Sequence, residues 1–341
     1  VKPRVSVVVP LYNKRATIAR ALESIRRQTF ADFEAIVVDD GSTDDGAALA
    51  ARIGDARFRL IHQANAGPGA ARNRGIEAAA GEHIAFLDAD DEWLPTFLER
   101  AVAALERRPQ LAAVVSGYVK GPTAVPTDGV WRSRGLRDGE VRITAATPPR
   151  FIVTLLAYMN PWATVVRADV VRRYGGFYER GCRYGEDNYL WLKVVFNETI
   201  GIELEPRVHW HDESSGLSRN LHGARPVEPF FADPDPLYAA APAHLRTLLC
   251  SVLAMRAGKT AAVLSFWGDW RRARELITRF TTPAQLRYRW VLIGTAAATP
   301  AGAAAGAMIR RVLAALPTAK RIGSASLSRI HAAVEARDGN R

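Results

Sequence analysis

The stretch His83-Ile-Ala-Phe-Leu-Asp-Ala-Asp-Asp91 decides how this chain is read. A short apolar run, His83 to Leu87, stops abruptly at Asp88-Ala89-Asp90-Asp91. Such a run predicts a buried strand with carboxylates at its C-terminal end. Three similar runs precede it. Val5-Ser-Val-Val-Val9 is ended by Pro10, Glu34-Ala-Ile-Val-Val38 runs into the turn Asp39-Asp-Gly-Ser-Thr43, and Arg57 to His62 forms a third. Between them lie helical patterns at Ala16–Arg27, with Ile18, Leu22 and Ile25 on one face, at Ala47–Ile53 and at Gly69–Ala80. Another helix is expected at Phe97–Arg107. Strands alternating with helices predict βαβ units, hence an α/β fold with a mostly parallel, Rossmann-like sheet flanked by helices.

Beyond residue 110 the pattern loosens. Val114–Val119 reads as a strand, residues 120–150 as a loop-rich insertion, and residues 151–200 as mixed apolar segments. Pro226, Pro229, Pro234, Pro236 and Pro242 mark residues 226–242 as a Pro-rich linker. From 243 to about 317 the pattern is helical, predicting a C-terminal helical extension.

The chain has 341 residues, 48% of them hydrophobic, enough for a large core and incompatible with wholesale disorder. Two cysteines, Cys182 and Cys250, make neither a disulfide framework nor a four-thiolate site, and they fit a reduced cytoplasmic setting. The opening Val-Lys-Pro-Arg-Val lacks the apolar core of a signal peptide. The net charge of +11 is unevenly placed: residues 1–240 are near neutral, while residues 241–341 hold 16 Lys and Arg against 4 Asp and Glu. An anionic surface is the expected partner of that region. The tail carries no recognised nucleic-acid-reading motif, so a membrane and not nucleic acid is expected. A solvated helical face is the plainer alternative.

In open parallel sheets ligands bind at the carboxyl ends of strands. Here those ends carry Pro10-Leu-Tyr12-Asn, Asp39-Asp40 and Asp88 to Asp91. Clustered carboxylates repel unless positive charge lies between them. A divalent cation, Mn²⁺ or Mg²⁺, would supply it and would also neutralise a diphosphate. Alone, one Asp-x-Asp fits a turn or a helix cap equally well, and Asp91-Glu-Trp-Leu-Pro95 offers such a cap for the following helix. Other phosphate sites are excluded: the chain lacks Gly-x-x-x-x-Gly-Lys-Ser/Thr, and the first strand is followed by Pro-Leu-Tyr-Asn-Lys instead of Gly-x-Gly-x-x-Gly.

Five segments in order resemble the family 2 glycosyltransferases of the GT-A fold. They are Val5-Ser-Val-Val-Val-Pro-Leu-Tyr-Asn-Lys14; Gln28-Thr-Phe-Ala-Asp-Phe-Glu34 with Val37-Val-Asp-Asp-Gly-Ser-Thr-Asp44; Asn65-Ala-Gly-Pro-Gly-Ala-Ala-Arg-Asn-Arg-Gly75; Ala85 to Pro95; and Gly175-Gly-Phe177 with Gly185-Glu-Asp-Asn-Tyr-Leu-Trp-Leu192. The resemblance covers roughly residues 3–220. It implies a GT-A catalytic domain over 1–225, with a nucleotide-sugar half to about 110 and an acceptor and base half over 111–225. It also implies an inverting transfer from a nucleotide-sugar donor, uridine- or thymidine-linked, to a glycan or lipid-linked glycan acceptor.

By the same resemblance Pro10, Tyr12 and Asp40 line the nucleobase pocket. Arg72 faces the nucleotide, the alternative being a surface helix charge. Asp88 and Ala89 lie by the ribose, and Asp90 and Asp91 hold the metal. Asp187 is the general base, with Glu186 in support, although both also fit a helix first turn, where acids favour the dipole. A His near the diphosphate is implied before the loop Ser214-Ser-Gly-Leu-Ser-Arg219, and His211, with His209 as the alternative, fills that place among the metal ligands. Gln285-Leu-Arg-Tyr-Arg289-Trp290 approximates a processive-synthase motif but has one residue too many. It reads as helix surface, which favours single addition. Trp290–Ile309 is 20 residues without a charge, but its Ala, Gly and Thr content and Pro300 predict two short helices, packed on the protein or lying on a membrane. The expected location is the cytoplasm, peripheral to the inner face of the cell membrane, in cell-surface polysaccharide or glycolipid synthesis. A non-catalytic nucleotide-sugar-binding module is the competing function. Loss of an acidic residue would mark it, and none is lost.

Overall fold

A computed structural model describes residues 2–182, 184–213 and 227–315, with the side chains of 312–315 excepted. The chain divides into two compact units: residues 1–144, 155–215 and 228–242, and residues 145–154, 216–227 and 243–341. The expected diphosphate loop Ser214–Arg219 and the basic segment 316–341 lie outside the described residues.

The first unit is built on a ten-stranded sheet. Strands β1 (Val5–Leu11), β2 (Phe33–Asp40), β3 (Phe58–Gln63) and β4 (His83–Phe86) pair in parallel in the order 3-2-1-4. The helices α1 (Ile18–Arg26), α2 (Gly46–Ala51) and α3 (Pro68–Ala78) connect them. Val5, Val7, Val8 and Val9 are fully buried, the signature of a central parallel strand. Ile18, Leu22 and Ile25 bury the predicted face of α1. Helix α3 can press against β1 because residue 75 is glycine: a Cβ there would stand 2.2 Å from Val8 Cγ1.

The second half of the sheet is mixed. After β5 (Glu92–Trp93) and α4 (Phe97–Arg107) come β6 (Leu111–Lys120), β7 (Val125–Pro126), α5 (Asp128–Ser133) and β8 (Gly139–Arg142). These give structure to the stretch read as a loop-rich insertion. The helix α6 (Pro149–Tyr158) follows. Then β9 (Thr164–Arg167) inserts antiparallel between β4 and β6, before α7 (Ala168–Arg173), α8 (Glu186–Asn197) and the long β10 (Thr199–Trp210). β10 runs parallel to β6 and antiparallel to β5.

The stretch read as a Pro-rich linker is folded. Pro229 and Pro236 sit in the first turns of helices Pro229–Ala232 and Asp235–Ala240, where proline's missing N–H costs nothing. Phe230 and Phe231 are buried, and the Asp233 carbonyl accepts from Tyr189 Oη on α8 at 3.0 Å.

The second unit is helical over Arg246–Phe266, Trp270–Phe280, Arg289–Ala297 and Pro300–Ala315. Helix 270–280 is capped by Asp269, whose side chain accepts from the Arg272 N–H, and it buries Ala273, Leu276, Ile277 and Phe280. Helices 246–266 and 289–297 meet backbone to backbone, since a Cβ on Gly294 would lie 2.3 Å from the Gly258 carbonyl oxygen. The expected two short helices are present, bent by 94° at the break before Pro300. Residues 243–266 are long and apolar enough to cross a membrane by length and composition, and 61% of the window is buried in the protein. Gln285 is not helix surface. It is buried and closes a capping box, its Oε1 accepting from the Thr282 N–H at 2.9 Å.

Candidate functional site

The C-terminal ends of β1, β2 and β4 gather most of the expected residues. Pro10 pairs with Val38 and Leu11 with Asp39, so Tyr12 leaves the sheet beside the β2 turn. Asn13, at φ 51°, ties the two loops: its Oδ1 accepts from the Thr43 N–H at 2.7 Å, and its own N–H donates to Ser42 Oγ. Tyr12 is 47% exposed, available to stack on a ligand ring. Asp40, by contrast, is buried. Its carboxylate accepts from Gln63 Nε2 and from the N–H groups of Ala66 and Gly67, all within 2.9 Å, and so pins the loop that opens α3. Asp39, which the sequence places at the same strand end without a role of its own, faces the His62 ring at 2.9 Å.

Asp88 to Asp91 form a turn closed by the Asp91 N–H donating to the Asp88 carbonyl. Asp91 does not cap α4, whose N-cap is Thr96; its Oδ1 accepts instead from the His211 N–H at 2.9 Å. Burial, then the nearby Asp88 carboxylate, pushes the Asp90 carboxyl up, against the pull of Lys14. Burial, Asp88 and Asp90 push Asp91 well up. Two acids strained in this way by desolvation and mutual repulsion fit a divalent cation, which removes both penalties. Asp90 and Asp91 would hold it. Lys14 and Arg20, neither given a role from the sequence, supply the positive charge now at the turn: Lys14 Nζ donates to Asp90 Oδ2 and Arg20 to the Asp90 carbonyl.

Arg72 is only 5% exposed, which excludes a surface helix charge. Its guanidinium donates to Asp88 Oδ1 and to Glu186 Oε1, both at 2.7 Å, and it lies 5.2 Å from the centre of the Phe177 ring. Burial alone would lower its pKa; the two carboxylates outweigh it and raise it. The fork expected to face the nucleotide is thus committed to two protein carboxylates. Glu186 and Asp187 form the first turn of α8 behind Gly185, which takes the left-handed φ of 76°. Asp187 is half-buried, and its Oδ1 accepts from the Asn188 N–H at 2.8 Å. Arg72 therefore joins the carboxylate turn to the element that carries the expected base.

The His211 ring is turned to Glu213 and Glu92, and the His209 ring stacks on it at 3.8 Å. The half of the unit expected to receive the acceptor also holds an aromatic group that no motif announced. Trp162 and Trp210 stack at 6.0 Å, Tyr118 meets both edge-on, and Lys120 lies 4.5 Å over the Trp210 ring. Its members are scattered over about a hundred residues, so no local pattern reveals it.

A parallel βαβ half ending in carboxylates, joined to a mixed half carrying an acidic helix start, defines a GT-A-type α/β fold. Residues 6–173 match the family described as Glycosyl transferase family 2, and this part of the chain belongs to that family. Among relatives, it is 36% identical over 176 residues to the uncharacterized glycosyltransferase YibD of Escherichia coli, covering 49% of each chain. It is 43% identical over 233 residues to the succinoglycan biosynthesis protein ExoO of Rhizobium meliloti, covering 64% of each. The chain spans about half the length of the first curated relatives it matches, 49% and 54%. The fold resembles S. aureus TarS residues 1–349, solved with UDP-GlcNAc, at a TM-score of 0.69 and 18% identity, covering 90% of this chain and 92% of that one.

Proposed function

We propose that this chain is an inverting glycosyltransferase that moves a sugar from a nucleotide-diphosphate donor, uridine- or thymidine-linked, to an acceptor hydroxyl. The carrying observation is the Asp88–Arg72–Glu186 bridge, which sets the carboxylate turn and Asp187 at a fixed spacing. Asp187 would take the proton of the acceptor hydroxyl as that oxygen attacks the anomeric carbon from the face opposite the diphosphate. Tyr12 and Pro10 would border the base, and Asp40 would shape that pocket through the loop of Ala66 and Gly67. A divalent cation held by Asp90 and Asp91 would neutralise charge developing on the leaving diphosphate.

The competing reading as a binding module predicts a lost acidic residue, and Asp88, Asp90, Asp91, Glu186 and Asp187 are all present. The likeness to ExoO favours polysaccharide synthesis as the setting. Exposed Leu292, Met308 and Ile309 beside a basic region support a peripheral site on the cytoplasmic membrane face, within reach of a lipid-linked acceptor. The test is a panel of nucleotide sugars with melting temperature as readout. A uridine- or thymidine-linked sugar at a hundred times its Kd should stabilise by about 2.7 kcal/mol in the presence of Mn²⁺. Absence of a shift with every nucleotide sugar would refute the reading.

A further inference from the structure

We infer that Asn188 is the positioning residue of Asp187: its side-chain amide pins one carboxylate oxygen, Oδ1, so that the other, Oδ2, is the atom that takes the acceptor proton. This rests on the reading of Asp187 as the base. Oδ1 accepts two bonds from one residue, from the Asn188 N–H at 2.8 Å and from Asn188 Nδ2 at 3.2 Å. A carboxylate oxygen cannot donate, so the amide nitrogen, not the amide oxygen, must be turned to it. Hydrogen bonds to the charged form stabilise it, so an oxygen that holds two donors is the weaker proton acceptor of the pair.

The first bond has an ordinary explanation. Gly185, the residue before α8, has no side chain to cap the helix, and the Asn188 N–H is one of the donors that a helix start leaves over. Asp187 satisfies it. The second bond adds nothing to the helix end. Consecutive residues on a helix do not face each other, so the amide must turn back to reach its neighbour. It does so at a cost, because Asn188 Oδ1 is buried and accepts from no described donor. Buried acceptors are normally paired, and this one is left over by an amide committed to Asp187. The charged and titratable groups at this end of α8 are Glu186 on the same turn, Arg72 from α3, which joins Glu186 to Asp88, Cys182 from the preceding segment, and Glu228. Burial pushes the Cys182 thiol up, and the charges of Glu186 and Asp187 add to the rise. Glu228 packs on Gly185, where a Cβ would lie 3.2 Å from Glu228 Cγ. All of these groups stay in place when Asn188 alone is changed.

The test compares the full wild-type chain with Asn188→Ala and Asn188→Asp. With isotope-labelled asparagine and no nucleotide present, the side-chain amide resonance that Asn188→Ala lacks should move with pH as Asp187 ionises, and Asp187→Asn should abolish that movement. In turnover, Asn188→Ala should hold donor affinity within about twofold and lose about 10–100-fold in kcat, the scale of a misplaced reacting group. The acidic limb of its pH profile should move up by about one unit, the size of one charge-assisted hydrogen bond. Asn188→Asp keeps the shape and suits a helix first turn, yet it sets a like charge against Oδ1. Its acidic limb should therefore move further up than that of Asn188→Ala, whereas a merely structural role has it behave as wild type. An Asn188 amide resonance that titrates identically in wild type and Asp187→Asn overturns the inference, as does an acidic limb unmoved in both Asn188 variants. The resonance needs neither donor nor acceptor, so its outcome is independent of the nucleotide-sugar panel.

Discussion

Arg72 and Glu186, 114 residues apart in the chain, meet at 2.7 Å with both side chains buried. The close approach depends on Gly69, one turn earlier on α3, where a Cβ would lie 2.3 Å from the Tyr178 carbonyl oxygen. Breaking a buried, hydrogen-bonded ion pair from one side costs about 3–5 kcal/mol. Arg72→Leu is therefore expected to lower stability by about that amount in urea unfolding, with loss of turnover. Arg72→Lys, which offers a point charge in place of a two-armed fork, should recover part of the stability. Wild-type stability in Arg72→Leu would show that the bridge holds nothing together.

Asp187→Asn should fold normally and bind donor with unchanged affinity while losing about 10²–10⁴ in turnover, the usual share of general-base catalysis. Donor binding is read by calorimetry and turnover by release of nucleotide diphosphate. Near-normal turnover on any accepted substrate removes Asp187 from the reaction.

Asp90 and Asp91 have pKa values raised by burial and by the carboxylates around them. A carboxyl with a raised folded pKa opposes folding only once the unfolded chain has ionised, above about pH 4, and the cost grows until the pH passes the folded value. Chelated protein should thus lose stability through this pair as pH rises above about 4 toward the raised folded values. His83, whose pKa burial lowers, acts in the opposite sense, so wild type must be compared with Asp90→Asn. The variant should have the flatter profile, and saturating Mn²⁺ should flatten the wild type. Parallel melting profiles for the two proteins would contradict the shift. Asp90→Ala should also abolish turnover and the Mn²⁺-induced rise in melting temperature.

The C-terminal region is expected to bring the protein to anionic bilayers. Each Lys or Arg held at such a surface contributes about 1 kcal/mol, falling off within a Debye length. Full-length protein should pellet with vesicles containing phosphatidylserine and be released by salt. Changing the exposed Leu292, Met308 and Ile309 together to Glu should leave most of it in the supernatant. Failure of the wild type to pellet at low salt would defeat the membrane reading and leave the catalytic one intact.

The amino-acid sequence by itself determined the local elements and the family. Apolar runs marked β1 to β4, the spacing of Ile18, Leu22 and Ile25 marked α1, and Asp88 to Asp91 declared the strand end where chemistry belongs. These are properties of neighbouring residues, legible from periodicity and turn chemistry. The tertiary structure decided the partners. It paired Arg72 with Asp88 and Glu186, gave Asp40 to the loop of Ala66 and Gly67, slid β9 between β4 and β6, and folded residues 228–242 against α8. It also set His209 across from Glu92, through a register that Pro206 interrupts. The physical reason is that closing a longer loop costs only logarithmically more, so sequence separation discriminates weakly among distant partners. Which groups meet is then settled by which strand edges, small-residue gaps and buried charges still need one.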